Sequence, residues 1–316
     1  MKRREFVAGL GTAIISPHLA LAQKRIWRVG VLLAERGQNA IRHGLRDLGY
    51  IEGENLLIEA RSSRAGVDFA GPAAELVATR PDVLVTAGTQ AALALKQATP
   101  DIPIVMMSSD PVGTGLIASL AHPGGNVTGF SLLSPEVSGK RVELLREVAS
   151  TVSSIAILWN PSDPPAAISL KETETAAAAA GLKSSAIAAQ SPDDFVPAFA
   201  SLEKLRPGAL VIIPAPLMDL NAARIASLAA DAKLPSIYPD PSYARAGGLM
   251  SYGPDFGGLI RDEAVYIDKI FKGTKPADLP VAQPTKFNLI INRRTATVIG
   301  IDVPAQLLAR ADEVIE

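Results

Sequence analysis

Gly88-Thr89-Gln90 stands between an apolar run ending in Val85-Thr86-Ala87 and a helical pattern that opens at Ala91. Glycine lets a ligand approach the backbone closely, and the free N–H groups and dipole of the following helix make an anion site suited to a carboxylate. Thr89 adds a hydroxyl donor, although the same hydroxyl can equally cap its own helix. Other polar residues stand at the same kind of place. Ser108 and Asp110 follow the next apolar run, with Asp110 before Pro111 also reading as a turn former. Asn160-Pro161-Ser162-Asp163, Pro214-Ala215-Pro216, Tyr238 and Tyr252 end further runs in the second half. A tyrosine at such a position combines stacking area with a hydroxyl, which suits an organic ligand. Glu35 and Arg36 follow the first run, where Arg36 can pair a carboxylate bidentately or stand solvated in its loop.

Covalent and metal chemistry find few residues. The 316 residues contain no cysteine and three histidines, which excludes a Cys–His dyad and leaves zinc-type ligands scarce. His43 lies in an amphipathic helical pattern and His122 beside Pro123 in a linker. Gly113-Thr114-Gly115 lacks the third glycine of a dinucleotide loop, and neither G-x-S-x-G nor a P-loop occurs. Glu143, Glu147, Asp262 and Glu263 have the spacing of solvated helix faces. No catalytic residue, metal or cofactor is expected.

The elements that must position these residues alternate. Strands are expected at 27–33, 55–61, 82–87 and 102–107, with helices at 40–48, 68–79 and 90–98 between them. The nearly continuous apolar runs of the first, third and fourth strands fit parallel strands covered on both faces. The unit then repeats, with strands at 154–159, 182–188, 209–213, 235–238 and 248–252 and helices at 173–181, 193–205 and 219–233. Gly181 suits a helix C-terminus. Two such halves predict two doubly wound α/β lobes with parallel sheets. Three Gly- or Pro-rich stretches fall at the joints: 123–135, which contains Thr128, then Tyr252-Gly253-Pro254, then 275–286. They read either as three hinge crossovers above a cleft or as surface loops. The first lobe is expected to hold 23–130 and about 254–283, the second 131–253 and about 284–316.

The first residues address the compartment. Lys2-Arg3-Arg4, an apolar stretch over 7–15 and Ala20-Leu21-Ala22 form an export signal cut after Ala22, by the general or the twin-arginine route. Its removal leaves 28 basic against 31 acidic side chains, a balance that suggests neither nucleic acid nor an anionic membrane. The remaining chain is long enough for two ordinary cores and needs no disulfide.

Six collinear stretches carry a resemblance: Gly88-Thr89-Gln90-Ala91-Ala92-Leu93, Asp110-Pro111-Val112, Pro123-Gly124-Gly125-Asn126-Val127-Thr128-Gly129, Leu158-Trp159-Asn160-Pro161, Gly247-Gly248-Leu249-Met250-Ser251-Tyr252-Gly253 and Gln283-Pro284-Thr285-Lys286-Phe287. Together they resemble the substrate-binding proteins of ABC transporters, in the tryptophan/tyrosine-type branch. The resemblance implies a type I periplasmic binding protein fold and a monomeric periplasmic protein. It also implies a small-molecule ligand, an amino acid or organic carboxylate, passed to an ABC permease in the inner membrane. Amino-acid binders of this branch, as the resemblance implies, carry an acid after the strand at 209–213, where this chain reads Pro214-Ala215-Pro216. A buried ammonium without a carboxylate is costly. Either Glu35, Asp110 or Asp163 supplies it, or the ligand has no amine. A ligand-sensing module for a membrane receptor and a secreted α/β hydrolase are the alternative readings.

Overall fold

A computed structural model describes residues 25–63, 68–132 and 134–316. The expected export signal lies outside the described residues. In the first unit the chain runs β1 (Trp27–Leu32), α1 (Glu35–Asp47), β2 (Leu56–Arg61), α2 (Ala70–Ala78), β3 (Val83–Ala87), α3 (Thr89–Ala98), β4 (Ile104–Ser108) and β5 (Val127–Ser131). The five strands are parallel in the order β2-β1-β3-β4-β5. Successive side chains of a strand point to opposite faces, and both faces here are apolar. Val29, Val31, Val83, Val85 and Val105 pack under Ile41 and Leu45 of α1. On the other face Leu32, Leu84, Ile104 and Met106 meet Leu76 of α2 and Leu95 of α3.

The second unit runs α4 (Ser134–Val148), β6 (Ser154–Trp159), α5 (Ala166–Ala179), β7 (Lys183–Ala188), α6 (Phe195–Leu205), β8 (Ala209–Ile212), α7 (Pro216–Leu220), α8 (Ala222–Asp231), β9 (Ser236–Tyr238), α9 (Pro241–Arg245) and β10 (Met250–Pro254). The chain then returns to the first sheet as α10 (Phe256–Phe271), and crosses again to form β11 (Phe287–Asn292), α11 (Arg293–Ile299), α12 (Ala305–Leu308) and β12 (Glu313–Ile315). The sheet order is β12-β11-β10-β9-β8-β6-β7, parallel except at the β10–β11 pair. The α/β class with two lobes and parallel sheets is as expected.

α10 belongs physically with the first sheet. Its Ala264, Ile267 and Phe271 share the core of Val29 and Val31, and a Cβ added at Gly44 of α1 would lie 2.6 Å from the Arg261 carbonyl oxygen. Only glycine permits that backbone approach. The third passage is strapped beside β5: Thr128 donates to the Leu279 carbonyl at 2.7 Å, Ala282 N–H to Gly129 at 2.9 Å and Ser131 N–H to Ala282 at 2.8 Å.

Several expectations change. The loop expected at Ala34-Glu35-Arg36 is instead the entry and first turn of α1. The expected linker 123–135 contains a buried strand, β5, and the start of α4. Helix 219–233 is two helices, because Pro216 opens α7 six residues before α8 begins and Asn221 breaks the run, donating its side-chain amide to the Leu217 carbonyl at 2.8 Å. Glu263, expected on a solvated face, is 0% exposed against the first sheet.

Candidate functional site

Thr89, Gln90, Ser108, Asn160 and Asp163 lie where strands β3, β4 and β6 end, the place where open α/β sheets bind ligands. Gly88 adopts φ +95° as the N-cap of α3, which begins at Thr89. Thr89 therefore does not cap. Its buried hydroxyl lies 2.8 Å from that of Ser108, at the end of β4. A Cβ on Gly88 would stand 2.9 Å from Cγ of Pro216, so the two units touch here. Gln90 extends the contact: its side-chain amide donates to the Ser162 carbonyl across the cleft, and its Oε1 is buried without a partner.

From the second unit, Asn160 and Asp163 follow β6 and are 1% and 3% exposed. Asn160 Oδ1 accepts from Ser162 N–H at 2.9 Å, yet its Nδ2 and the Oδ1 of Asp163 are unpartnered. Buried polar atoms rarely lack a partner. Desolvation pushes the Asp163 carboxyl up to about 7.

Two residues that sequence reasoning passed over complete the site. Asp219, on α7 after β8, accepts from the Tyr243 hydroxyl at 3.0 Å. Desolvation first, then the charge of Asp240, pushes its carboxyl up to about 7, while the Tyr243 hydrogen bond and Arg141 act in the opposite direction. Asp219 is itself exposed, so water offsets part of that desolvation. Its only sequence signal is a proline opening a short helix just after a strand. Arg141 of α4 is 2% exposed and donates through Nε to the Tyr252 carbonyl at 2.8 Å. In the sequence it cannot be told from its neighbour Lys140, which makes a surface pair with Glu143 at 2.6 Å.

The remaining candidates sort by geometry. Tyr252, expected at a strand end, is instead the middle residue of β10; it is half-buried and stacks on Phe287 with ring centroids 5.9 Å apart. Tyr238 is not part of the site: it is 0% exposed, stacks on Tyr243 at 4.9 Å and accepts a hydrogen bond from Ser236 at 2.9 Å. The pleat turns it to the face of Leu210 and Ile212, into the core. Thr128 is likewise buried and bound to Leu279, away from the strand ends. Asp110 closes its own turn, accepting from Gly113 N–H at 2.8 Å. Glu35 and Arg36 are exposed at the head of α1. Asp240 caps α9 through Ser242 N–H at 2.8 Å, which occupies it.

Two lobes whose strand ends face each other across buried, unpartnered polar groups form a type I periplasmic binding protein architecture. Residues 33–315 match the family model described as ABC transporter substrate binding protein. The chain belongs to that family. Among relatives of this substrate-binding protein, a tyrosine-binding protein of Clostridioides difficile is 25% identical over 280 residues, covering 84% of this chain and 77% of the relative. A conserved domain protein from Vibrio cholerae superposes with a TM-score of 0.85 at 29% identity, covering 92% of this chain and 100% of the other. An ABC domain from Streptococcus pneumoniae in complex with L-Trp gives 0.84 at 27% identity with the same coverage.

Proposed function

We propose that this substrate-binding protein is the exported, periplasmic and monomeric receptor of an ABC importer, taking an amino acid or related small carboxylate between its lobes and handing it to a permease. The observation that carries this reading is the set of orphaned buried groups at the cleft, Gln90 Oε1, Asn160 Nδ2 and Asp163 Oδ1, which a polar ligand would satisfy. Similarity to tyrosine-binding and L-Trp-bound relatives supports an amino acid. Asp219 and Asp163 are the counter-charges for its ammonium group, so the acid that the sequence did not display after β8 comes from α7. The first unit contributes the free N–H groups at the head of α3, and Tyr252 a ring for the ligand's apolar part.

We read binding rather than catalysis because the buried hydroxyls of Thr89 and Ser108 engage each other instead of a base. The lobes divide near residues 130, 254 and 284 and close by hinge motion at those three passages. A thermal-shift screen of the mature chain over the twenty common amino acids, aromatic acids and dicarboxylates tests the reading. A ligand at about 100 times its dissociation constant stabilises by about 2.7 kcal/mol. A shift with amino acids supports it, and a shift only with amine-free acids overturns the amino-acid assignment.

A further inference from the structure

Arg141 is the one element of the cleft whose chemistry the reading above leaves unused. A buried guanidinium is stable only when its donors are met by carboxylates or hydrogen-bond acceptors. Here Nε meets the Tyr252 carbonyl, but no carboxylate of the described residues forms an ion pair with it. The guanidinium has five N–H donors, so the terminal nitrogens are left over. Their location is fixed by Gly253: a Cβ there would stand 3.7 Å from Nη2 of Arg141 and 1.8 Å from the Pro239 carbonyl oxygen. The fork therefore lies where β9 and β10 end, on the edge that carries Asn160, Asp163 and Asp219. Asp219 is the charge that acts on it most strongly, yet the two groups do not come within ion-pair distance. Opposite charges held near each other but apart, beside the unpartnered Asn160 Nδ2 and Asp163 Oδ1, are complementary to a zwitterion.

We propose that the terminal nitrogens of Arg141 anchor the ligand's carboxylate, with Asp219 and Asp163 facing its ammonium group, so that the second lobe alone holds both charges of an α-amino acid. This subsite rests on the amino-acid reading. The head of α3 then closes over a ligand already bound, adding backbone donors from the first lobe. The same arginine holds the Tyr252 carbonyl beside the second passage between lobes, so occupancy of its fork fixes the backbone on which closure turns.

Calorimetric titration of the mature chain decides the matter. Each amino acid that shifts the melting temperature is titrated against its own decarboxylated amine, tyramine for L-tyrosine and tryptamine for L-tryptophan. In the wild type, loss of the carboxylate should weaken binding by about 10- to 150-fold, the value of hydrogen bonds to charged groups. In Arg141→Gln that ratio should fall to within about threefold of one, and in Arg141→Lys, which keeps the charge but not the fork, to an intermediate value. A merely structural arginine would weaken acid and amine alike and leave the ratio unchanged. An unchanged ratio in either folded variant overturns the assignment; should Arg141→Gln not fold, Arg141→Lys alone decides. A wild-type ratio near one overturns the Arg141 anchor while amino-acid binding stands. Absence of binding by every amino acid overturns both.

Discussion

The side-chain amide of Gln90, at the head of α3 in the first lobe, donates to the main-chain carbonyl of Ser162 in the second. This bond exists only when the lobes are together, so it contributes to the closed state and not to the open one. Gln90→Ala should weaken ligand binding by about 2- to 12-fold, the range for one neutral hydrogen bond, mainly through faster dissociation. Stopped-flow dissociation kinetics check this, and small-angle scattering should show a larger radius of gyration for the variant at subsaturating ligand.

Gly88→Ala should impair both folding and closure. At φ +95° a Cβ is strained, at a cost of about 1 to 3 kcal/mol, and it also meets Pro216 at 2.9 Å. Adding Pro216→Ala removes the ring and should restore affinity without restoring the melting temperature. Recovery of both, or of neither, would mean that the two effects have a common origin.

Asp163 and Asp219 make binding depend on pH. Both carboxyls are pushed up to about 7 by desolvation, with Arg141, Tyr243 and Asp240 as the charged and titratable groups around Asp219, and an ammonium group binds only their ionised forms. Affinity for an amino acid should therefore rise between pH 5.5 and 8, by at most about tenfold per pH unit for each proton released. The ligand-free protein shows the opposite trend. Carboxyls whose folded value lies above the unfolded one keep protons that the unfolded chain loses, so stability declines as pH rises from about 4 towards 7. Asp219→Asn should flatten both profiles in calorimetry.

Glu263 offers a route to a more stable protein. It is 0% exposed, both its carboxyl oxygens lack partners, and burial holds it well above the usual carboxylate range. An unsatisfied buried polar group costs about 1 to 3 kcal/mol. Glu263→Met, similar in length and apolar, should stabilise the chain by up to that amount in urea denaturation, more at pH 8 than at pH 4 because the neutral carboxyl becomes harder to retain as pH rises. Lower stability in the variant at pH 8 would show that a polar partner serves Glu263 in solution.

Thr89→Val tests the hydroxyl pair at the strand ends. The substitution leaves the Ser108 hydroxyl, 0% exposed, without its 2.8 Å partner. Stability should fall by about 1 to 3 kcal/mol, measured by denaturation without ligand.

What the sequence by itself determined is whatever local order carries. Apolar runs such as 82–87 and 154–159 can be covered on both faces only in a parallel α/β sheet, so the residues after them, Gly88-Thr89-Gln90 and Asn160 to Asp163, were legible as strand-end residues from their order alone. The glycine and proline joints read as candidate crossovers or surface loops, and the short β-prone core within 123–135 is the strand β5. Three decisions belonged to the tertiary structure. Tyr238 ends β9 while Tyr252 lies in the middle of β10, and only packing separates a fully buried ring from a half-buried one. Asp219 stands beside Tyr243 because α7 ends at Leu220, whereas a continuous helical pattern reads it as one more carboxylate. Arg141 looks like any arginine of an amphipathic helix until α4 is laid along β8 and β9. Charge type is a property of a residue, but burial and partnership arise from segments 24 to 111 positions apart in the chain, as for Asp219 with Tyr243 and Arg141 with Tyr252, and periodicity does not reach that far.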